Sequence, residues 1–515
     1  TSSLVGSEMC IRDRYIYLLI NQKDWITFCM TILQNILFST GNGISDILCC
    51  RTSGTVICNN YSAHMDRASA ITTDTYFNFF DSSTWNRYTG CSQINLNIRI
   101  KGKALISIYD ETNSCLQTFD VHSADTYNGV TIKPDTGCAQ GLYLKIEAAD
   151  ICDIERAFFY AANDSVAAND IELGIIICTY KRDEYIKHNL RQLYESEFFN
   201  TSSPLYGRMK ICVVDNASEL PLYDDNNICI IHNVNNGGAG GFTKGIEYFR
   251  TIPGITNVVF MDDDVEFVNE TFYRMYSLLS LLKPEYMDDV IQGRMFRLDN
   301  RCVQYTAGEI WNCGDIRHVG FNKDMSDRSC LKDMNTSYGE YAGWWLACYP
   351  VNFIKKNLPI PFFLHCDDVE YGIRCARRLI ILNGINVWHE TYEYRVTPTI
   401  IYYDIRNTLF VNHMHNMFDA NLSIQSWKDR ISYFHVQKEY KTEYMAIRAM
   451  NDFLKGEQWL MSVKPERLHR KLCRVRRLFR LHNTVFWRIV QLKYALKYNM
   501  REKHNEDTGA GNSTC

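Results

Sequence analysis

Several things are missing from this sequence. No apolar run reaches the roughly 18 residues that a membrane-spanning helix needs. The most apolar early stretch, YIYLLINQKDWITFCMTILQNILF, is broken by Asn21, Gln22, Lys23 and Asp24, so neither a span nor a signal peptide is expected there. No CxxC pair and no Cys/His cluster has zinc spacing, although the chain holds 20 cysteines. They are scattered over 515 residues, some inside apolar runs such as IIICTY and KICVVD, which suits reduced thiols in a cytoplasmic enzyme better than a disulfide scaffold. Nor is there an excess of positive charge. Lys+Arg 55 against Asp+Glu 59 gives a formal charge of −4, and no global basic field invites nucleic acid. The first fourteen residues, TSSLVGSEMCIRDR, have no Met at position 1 and look like a translated sequencing adapter, so they are set apart from the fold.

What is present is ordinary globular composition, 46% hydrophobic and 22% charged, in a chain long enough for about two to four domains. Residues 15–168 carry short alternating segments, INLNIRIKG, ALISIYDE, GVTIKP and GLYLKIEA, between Asn, Gly and Asp turns; this predicts an antiparallel β-sandwich. Its aromatic residues could bind sugars, but core packing is the commoner use of such residues. Across 169–395 buried-strand patterns alternate with helical ones: ELGIIICTYKR, DEYIKHNLRQLYES, KICVVDNAS, NICIIHNVNNGGAGGFTKGIEYF, NVVFMDDDVEF. That alternation predicts a doubly wound α/β sheet, whose ligands sit at the carboxyl ends of the strands. The tips CTYKR, VVDNAS and MDDDVE would then share one rim. Residues 396–505 read as helical, and 506–515, NEDTGAGNSTC in its larger context, as a disordered tail. Between Glu466 and Lys503 twelve Lys/Arg face two Glu, with Leu, Phe, Trp and Val interleaved. Such a segment suits peripheral contact with an anionic membrane; the competing reading is a solvated helix packed on the protein.

The chemistry is concentrated in a few motifs. Asp262, Asp263 and Asp264 repel one another unless something positive lies among them; a solvated turn is the plain alternative. Hard divalent ions such as Mg²⁺ or Mn²⁺ prefer carboxylate oxygen and could clamp a diphosphate there. In an extended segment Asp262 and Asp264 point to one side, with Asp263 turned away or toward a ribose. Gly237, Gly238, Gly240 and Gly241 allow close backbone approach to a nucleotide and open a helix; the segment matches neither a Walker A loop nor GxGxxG. Asp367 and Asp368 precede a helical pattern, where a carboxylate can act as general base or simply cap the helix. His389, after another apolar strand, could complete a metal's coordination. Adjacent Trp344 and Trp345 would point in opposite directions if extended, either as core or as a face for a sugar. Glu309, in TAGEIW, could hold acceptor hydroxyls or sit in a turn.

With CTYKR, VVDNAS, NNGGAGGF, FMDDDV, GWW, CDDVEYG and VWHE in that order, residues 172–410 resemble the family 2 glycosyltransferases of GT-A fold. Within them the chain looks most like bacterial galactofuranosyltransferases that polymerise cell-wall galactan. The resemblance implies a Rossmann-like, doubly wound catalytic domain behind the β-sandwich and ahead of the helical region. It implies that Thr179 and Arg182 contact uridine diphosphate, that Asp215 reads the uracil, that Asn235 lies near the nucleotide, and that Asp262 and Asp263 belong to the donor site. Asp262, Asp264 and His389 would bind Mn²⁺ or Mg²⁺. Asp368 would be the catalytic base, with Glu309, Trp344, Trp345 and Asp367 along the acceptor. The expected partners are a UDP-sugar, such as UDP-galactofuranose, and a glycan or lipid-linked glycan in cell-surface polysaccharide synthesis; a homo-oligomer is compatible with the sequence. The expected location is the cytoplasm or the inner face of the membrane. Competing readings are transfer of another sugar such as rhamnose, a nucleotidyltransferase, and a non-catalytic glycan-binding protein.

Overall fold

A computed structural model describes residues 30–41, 45–91, 93–132, 139–162, 168–331, 334, 338–375, 377–391, 397–475 and 480–498. The expectations on the first fourteen residues and on the tail 506–515 lie outside them. Contacts divide the chain into one unit of 1–235, 240–359 and 371–394 and another of 236–239, 360–370 and 395–515. Both the N-terminal sheet and the bulk of the α/β region fall in the first.

Eight strands form the N-terminal sheet: β1 (Met30–Asn35), β2 (Arg51–Ser53), β3 (Val56–Cys58), β4 (Ala63–Met65), β5 (Ala70–Thr72), β6 (Ile94–Asp110), β7 (Cys115–Ile132) and β8 (Leu142–Ala162). All pairings are antiparallel, as the alternation predicts, and β8 alone pairs with β1, β4, β5 and β6. Along β6, Ile94, Leu96, Ile98, Ile100, Ala104, Ile106 and Ile108 are buried. That period of two drives one face of the sheet into the core. Hydrogen bonding joins the eight strands into a single sheet. Helix α1 (Ser82–Thr89) follows an Asp81 cap whose carboxylate accepts from the Thr84 amide at 2.8 Å.

The second sheet takes β9 (Leu173–Thr179), β10 (Met209–Asp215), β11 (Tyr223–Asp224), β12 (Ile228–His232), β13 (Asn257–Asp262) and β14 (Val290–Gln292). A smaller sheet and a hairpin are built from β15 (Arg294–Arg297), β16 (Val303–Thr306), β17 (Gly308–Asn312), β18 (Asp315–Val319) and β19 (Lys323–Asp324). Then come β20 (Leu346–Pro350), β21 (Leu379–Ile380) and β22 (Asn386–His389). The large sheet runs β11-β12-β10-β9-β13-β20-β14-β21. Its centre, β12-β10-β9-β13, is parallel, and the continuous burial of Ile175, Ile176, Ile177, Val213, Val214, Val258 and Val259 is what a sheet covered on both faces requires. Strand β20 interrupts the parallel order. It runs antiparallel to both β13 and β14. The helices along this stretch are α2 (Asp183–Tyr194), α3 (Gly237–Phe249), α4 (Glu270–Leu281), α5 (Val351–Ile354) and α6 (Asp367–Cys375).

A buried ion pair on α4 links the end of β1 to the loop before β22. Glu270 and Arg274, one turn apart on α4, are fully buried and 3.1 Å from each other. Glu270 also accepts from the Asn35 amide at 3.0 Å and its side chain at 2.8 Å. Arg274 donates to the carbonyls of Phe77 and Asn383. Burial pushes the Glu270 carboxyl up; Arg274 and Asn35 pull it back.

In the second unit the chain is helical as expected: α7 (Pro398–Met414), α8 (Ala420–Val436), α9 (Tyr440–Phe453), α10 (Glu457–Ser462), α11 (Pro465–Cys473) and α12 (Arg480–Lys497). The buried face of α9, Met445, Ala446, Ile447, Ala449, Met450 and Phe453, is its centre. Trp427 of α8 donates to Ala446 O at 2.9 Å, and Asn483 of α12 reaches Glu443 at 2.8 Å.

Candidate active site and metal centre

Register puts the polar strand ends of the first unit on one rim. Asp215 pairs with Thr179 across β10 and β9, and Asp262 pairs with Cys178 across β13 and β9. Apolar strands of equal depth end together, so their last residues emerge side by side where the chain turns into α/β loops.

At that rim the triplet separates into two jobs. Asp262, Asp264 and His389 each offer a ligand atom, all within 4.8 Å of one another. His389 Nε2 is 3.2 Å from Asp264 and 3.7 Å from Asp262. Asp263 faces Thr179 instead: β13 ends at Asp262, and Asp263 and Asp264 lie in the turn that follows rather than in the extended segment expected. The Asp263 carboxylate accepts from the Thr179 hydroxyl at 2.7 Å and from Arg182 Nη1 at 2.6 Å. The same Arg182 nitrogen is 2.9 Å from Asp264. Burial raises the Asp263 carboxyl above its ordinary range, while Arg182 and Thr179 oppose the rise. The positive charge that three adjacent carboxylates call for is thus supplied in part by Arg182. Two carboxylates and an imidazole on the other side form an O,O,N donor set that fits a divalent ion.

Sequence reasoning missed the residues that brace this arrangement. Asn189 of α2 donates to the Asp263 carbonyl at 3.0 Å. Just after the triplet, Glu266 and Trp388 exchange backbone hydrogen bonds of 2.9 and 2.8 Å, which pins the end of β22 to the end of β13. Arg301 pairs with Glu266, and the Trp388 indole donates to Arg301 O at 2.9 Å. No local pattern in the sequence marks any of these.

The other expected site residues fall in varied surroundings. Asp215 is buried, and its carboxylate accepts from the amides of Ala217, Glu219 and Leu220 at 2.7–2.8 Å, shaping the turn after β10. Asn235 lies between β12 and α3, two residues beyond Asn233, whose amide donates to Asn216 at 2.9 Å. Gly241 lets α3 settle on β9, since a Cβ there would lie 2.0 Å from Cys178 Sγ. Glu309 is buried, 2.8 Å from His318 Nδ1, and accepts from the Tyr341 hydroxyl at 2.5 Å. Tyr341 belongs to the YAGWW run; His318 left no signal.

The paired tryptophans lie in the turn before β20 and pack into two different apolar clusters. Trp345 is 1% exposed and spends its N–H on Gly293 O at 2.8 Å. Trp344 is 5% exposed and packs edge-on against Phe242, Phe260 and Tyr371. Packing is the role that these contacts give the two indoles.

In the second unit, Asp367 and Asp368 open α6. The Val369 amide donates to Asp368 Oδ1 at 2.8 Å, and Asp367 Oδ2 would be 3.2 Å from a Cβ on Gly238. Gly237 has φ +73° and lies so close to Phe363 that a Cβ would stand 1.9 Å from its carbonyl oxygen. The glycine run is therefore needed for packing as well as for any ligand.

The family described as Glycosyl transferase family 2 matches residues 174–307, the stretch that holds Thr179, Arg182 and the acidic triplet. This chain is a glycosyltransferase. The glycosyltransferase also matches the family described as Galactofuranosyltransferase 2 N-terminal over residues 51–134. It is 22% identical over 451 residues to galactofuranosyltransferase GlfT2 of Mycobacterium tuberculosis, covering 78% of this chain and 68% of that protein. With GlfT2 of Mycolicibacterium smegmatis it is 22% identical over 436 residues, 77% of this chain and 65% of that one. The chain thus spans about two thirds of the length of these relatives. A solved mannosyltransferase, PcManGT from Pyrobaculum calidifontis in complex with GDP-Man and Mn²⁺, aligns loosely at TM-score 0.32 and 12% identity, over 65% of this chain and 89% of that one. The family match and the parallel sheet agree on a GT-A fold for the catalytic region.

Among the described residues no helix is long and apolar enough to cross a membrane. The described cysteines are free thiols.

Proposed function

We propose that the glycosyltransferase moves galactofuranose from a UDP-sugar onto a glycan or lipid-linked glycan acceptor, with inversion and with Mn²⁺ or Mg²⁺. The observation that carries this reading is the convergence of Asp262, Asp264 and His389 at the carboxyl rim of the parallel strands. The two galactofuranosyltransferase relatives suggest the donor sugar.

Asp262, Asp264 and His389 would hold the ion. Bound there, it would neutralise diphosphate charge and make UDP a better leaving group. The chain's own residues do the rest. Arg182, fixed by Asp263 and Asp264, presents a cation at the rim where phosphates would arrive. Thr179 and Asp263 fix the floor of that rim, and the turn held by Asp215, together with Asn235, would border the uridine. Asp368 takes the proton from the acceptor hydroxyl, whose oxygen then attacks the anomeric carbon from the face opposite UDP. Its assignment rests on the motif CDDVEYG and its place at the start of α6. Glu309, with His318 and Tyr341, and Asp367 would orient acceptor hydroxyls.

Two further parts of the reading concern the flanking regions. The long, bent pairing of β6 with β8, with register shifts at Arg99/Ile100 and Gly102/Ala104, supports a sheet that folds over as a sandwich. On α12, Val485, Ile489, Leu492 and Leu496 form an exposed apolar stripe beside Arg488 and Lys493, which supports peripheral contact with an anionic bilayer at the cytoplasmic face.

The test is a panel of UDP-sugars, UDP-galactofuranose among them, assayed for UDP release with Mn²⁺, with Mg²⁺ and after chelation. Release from UDP-galactofuranose that depends on metal and on added acceptor is expected. Equal release in excess chelator, or transfer from another donor alone, would overturn the corresponding part of the reading.

A further inference from the structure

We infer that Arg406 and Asn407 of α7 are positioning residues that hold the segment 362–366 in the shape from which Asp367 and Asp368 are presented. This rests on the reading of Asp368 as the acceptor base.

The segment is in an unfavourable conformation on its own account. Phe363, His365 and Cys366 have φ of 79°, 64° and 62°. Three non-glycine residues in the left-handed region within four positions do not persist unless their surroundings over-determine them. Those surroundings are two adjacent side chains on one helix. Asn407 Nδ2 donates to the carbonyls of Leu364 at 2.7 Å and His365 at 2.8 Å. Arg406 Nη2 donates to the Phe362 carbonyl at 2.7 Å, and its Nε donates to Asn407 Oδ1 at 2.8 Å. Both are buried, at 1% and 0% exposure, so each unmade bond would leave a polar group away from water. The three carbonyls of Phe362, Leu364 and His365 accept, and these two side chains donate to all of them.

Further contacts hold the clamp. The Arg406 guanidinium lies over the rings of Tyr402 and Tyr403, and the Tyr402 hydroxyl donates to buried Asp452 at 2.9 Å. The Phe363 ring stacks on Tyr403 and on His469 of α11. On α6 itself, Glu370 is 3.4 Å from His415, the residue that ends α7. The segment between these anchors leads straight into Asp367. If it relaxed to ordinary backbone angles, the first turn of α6 would move with it, and a displacement of about 1 Å at a reacting group costs roughly 100-fold in rate.

The experiment uses the full chain with Mn²⁺, UDP-galactofuranose and a galactofuranosyl oligosaccharide. Asn407→Ala should lower kcat by roughly 100-fold, while the Kd for UDP with Mn²⁺, measured by calorimetry, stays at the wild-type value. Arg406→Lys keeps the charge, loses the planar fork and serves as a second, milder variant with a smaller loss in the same direction. Wild-type kcat in both α7 variants overturns the inference. Parallel loss of kcat, UDP affinity and folded protein in both variants overturns it too, in favour of a purely structural role. Asp368→Asn with wild-type turnover overturns the base reading and the inference with it. An inactive Asp368→Asn beside a fully active Asn407→Ala removes the inference alone.

Discussion

His389 Nε2 lies 3.2 Å from Asp264 Oδ1, although 125 residues separate them in the chain. The approach is made by backbone, since the two-way hydrogen bonding of Glu266 with Trp388 fixes the end of β22 against the residues that follow β13. A candidate ligand set assembled this way would be in place before any ion arrived, which would lower the entropic cost of binding one.

His389→Ala should therefore weaken Mn²⁺ binding by roughly 10–100-fold, read by titration of the paramagnetic ion. UDP affinity measured without metal should not change. Loss of metal-free UDP binding to the same extent would show that the imidazole serves the fold rather than the ion.

Asp368→Asn should abolish transfer and leave UDP binding with Mn²⁺ intact, because the amide cannot take the acceptor proton. The readouts are single-turnover transfer and calorimetry on the same preparation. Near-wild-type turnover would take Asp368 out of the mechanism.

Glu270→Gln would leave the Arg274 guanidinium buried without its counter-charge. Breaking a fully buried pair costs about 3–5 kcal/mol, so chemical denaturation should show a large loss of stability in the first unit. An unchanged midpoint would mean that the surrounding carbonyls of Phe77 and Asn383 suffice.

Trp345→Ala should cost about 3–5 kcal/mol in stability, as large-to-small changes in a core do. Trp344→Phe keeps the aromatic packing and should leave the acceptor KM where it was. A raised acceptor KM with normal stability would restore Trp344 to the acceptor site.

Burial lowers the His469 imidazole below its ordinary value of 6.5. The unfolded chain then binds a proton that the folded chain resists, so the stability this group contributes is complete above about pH 6.5 and falls as pH drops below it. Thermal unfolding from pH 7.5 to 5 should show that decline, and His469→Phe, which preserves the stack on Phe363, should flatten it. An identical slope in the variant would assign the decline to other groups.

The sequence alone determined what depends on local order. Continuous β-branched runs ending in polar residues specify parallel strands with a chemical rim, because such runs can be buried only in a sheet covered on both faces. Alternation along an extended triplet is the expectation that pairs Asp262 with Asp264, but the strand ends at Asp262, and the turn after it is what brings Asp264 beside Asp262 and His389. The same rule is expected to part Trp344 and Trp345, yet both lie in the turn before β20. Only the tertiary structure decided what lay on each side of them: both environments are core, and a residue's own neighbours in sequence carry no record of which surface will cover it. Arg182 on Asp263 and Asp264, Asn189 under the triplet, His318 on Glu309, and Asn407 on the carbonyls before Asp367 are likewise invisible in one dimension. Each joins segments far apart in the chain by a hydrogen bond or ion pair, and such bonds depend on distances that folding alone creates.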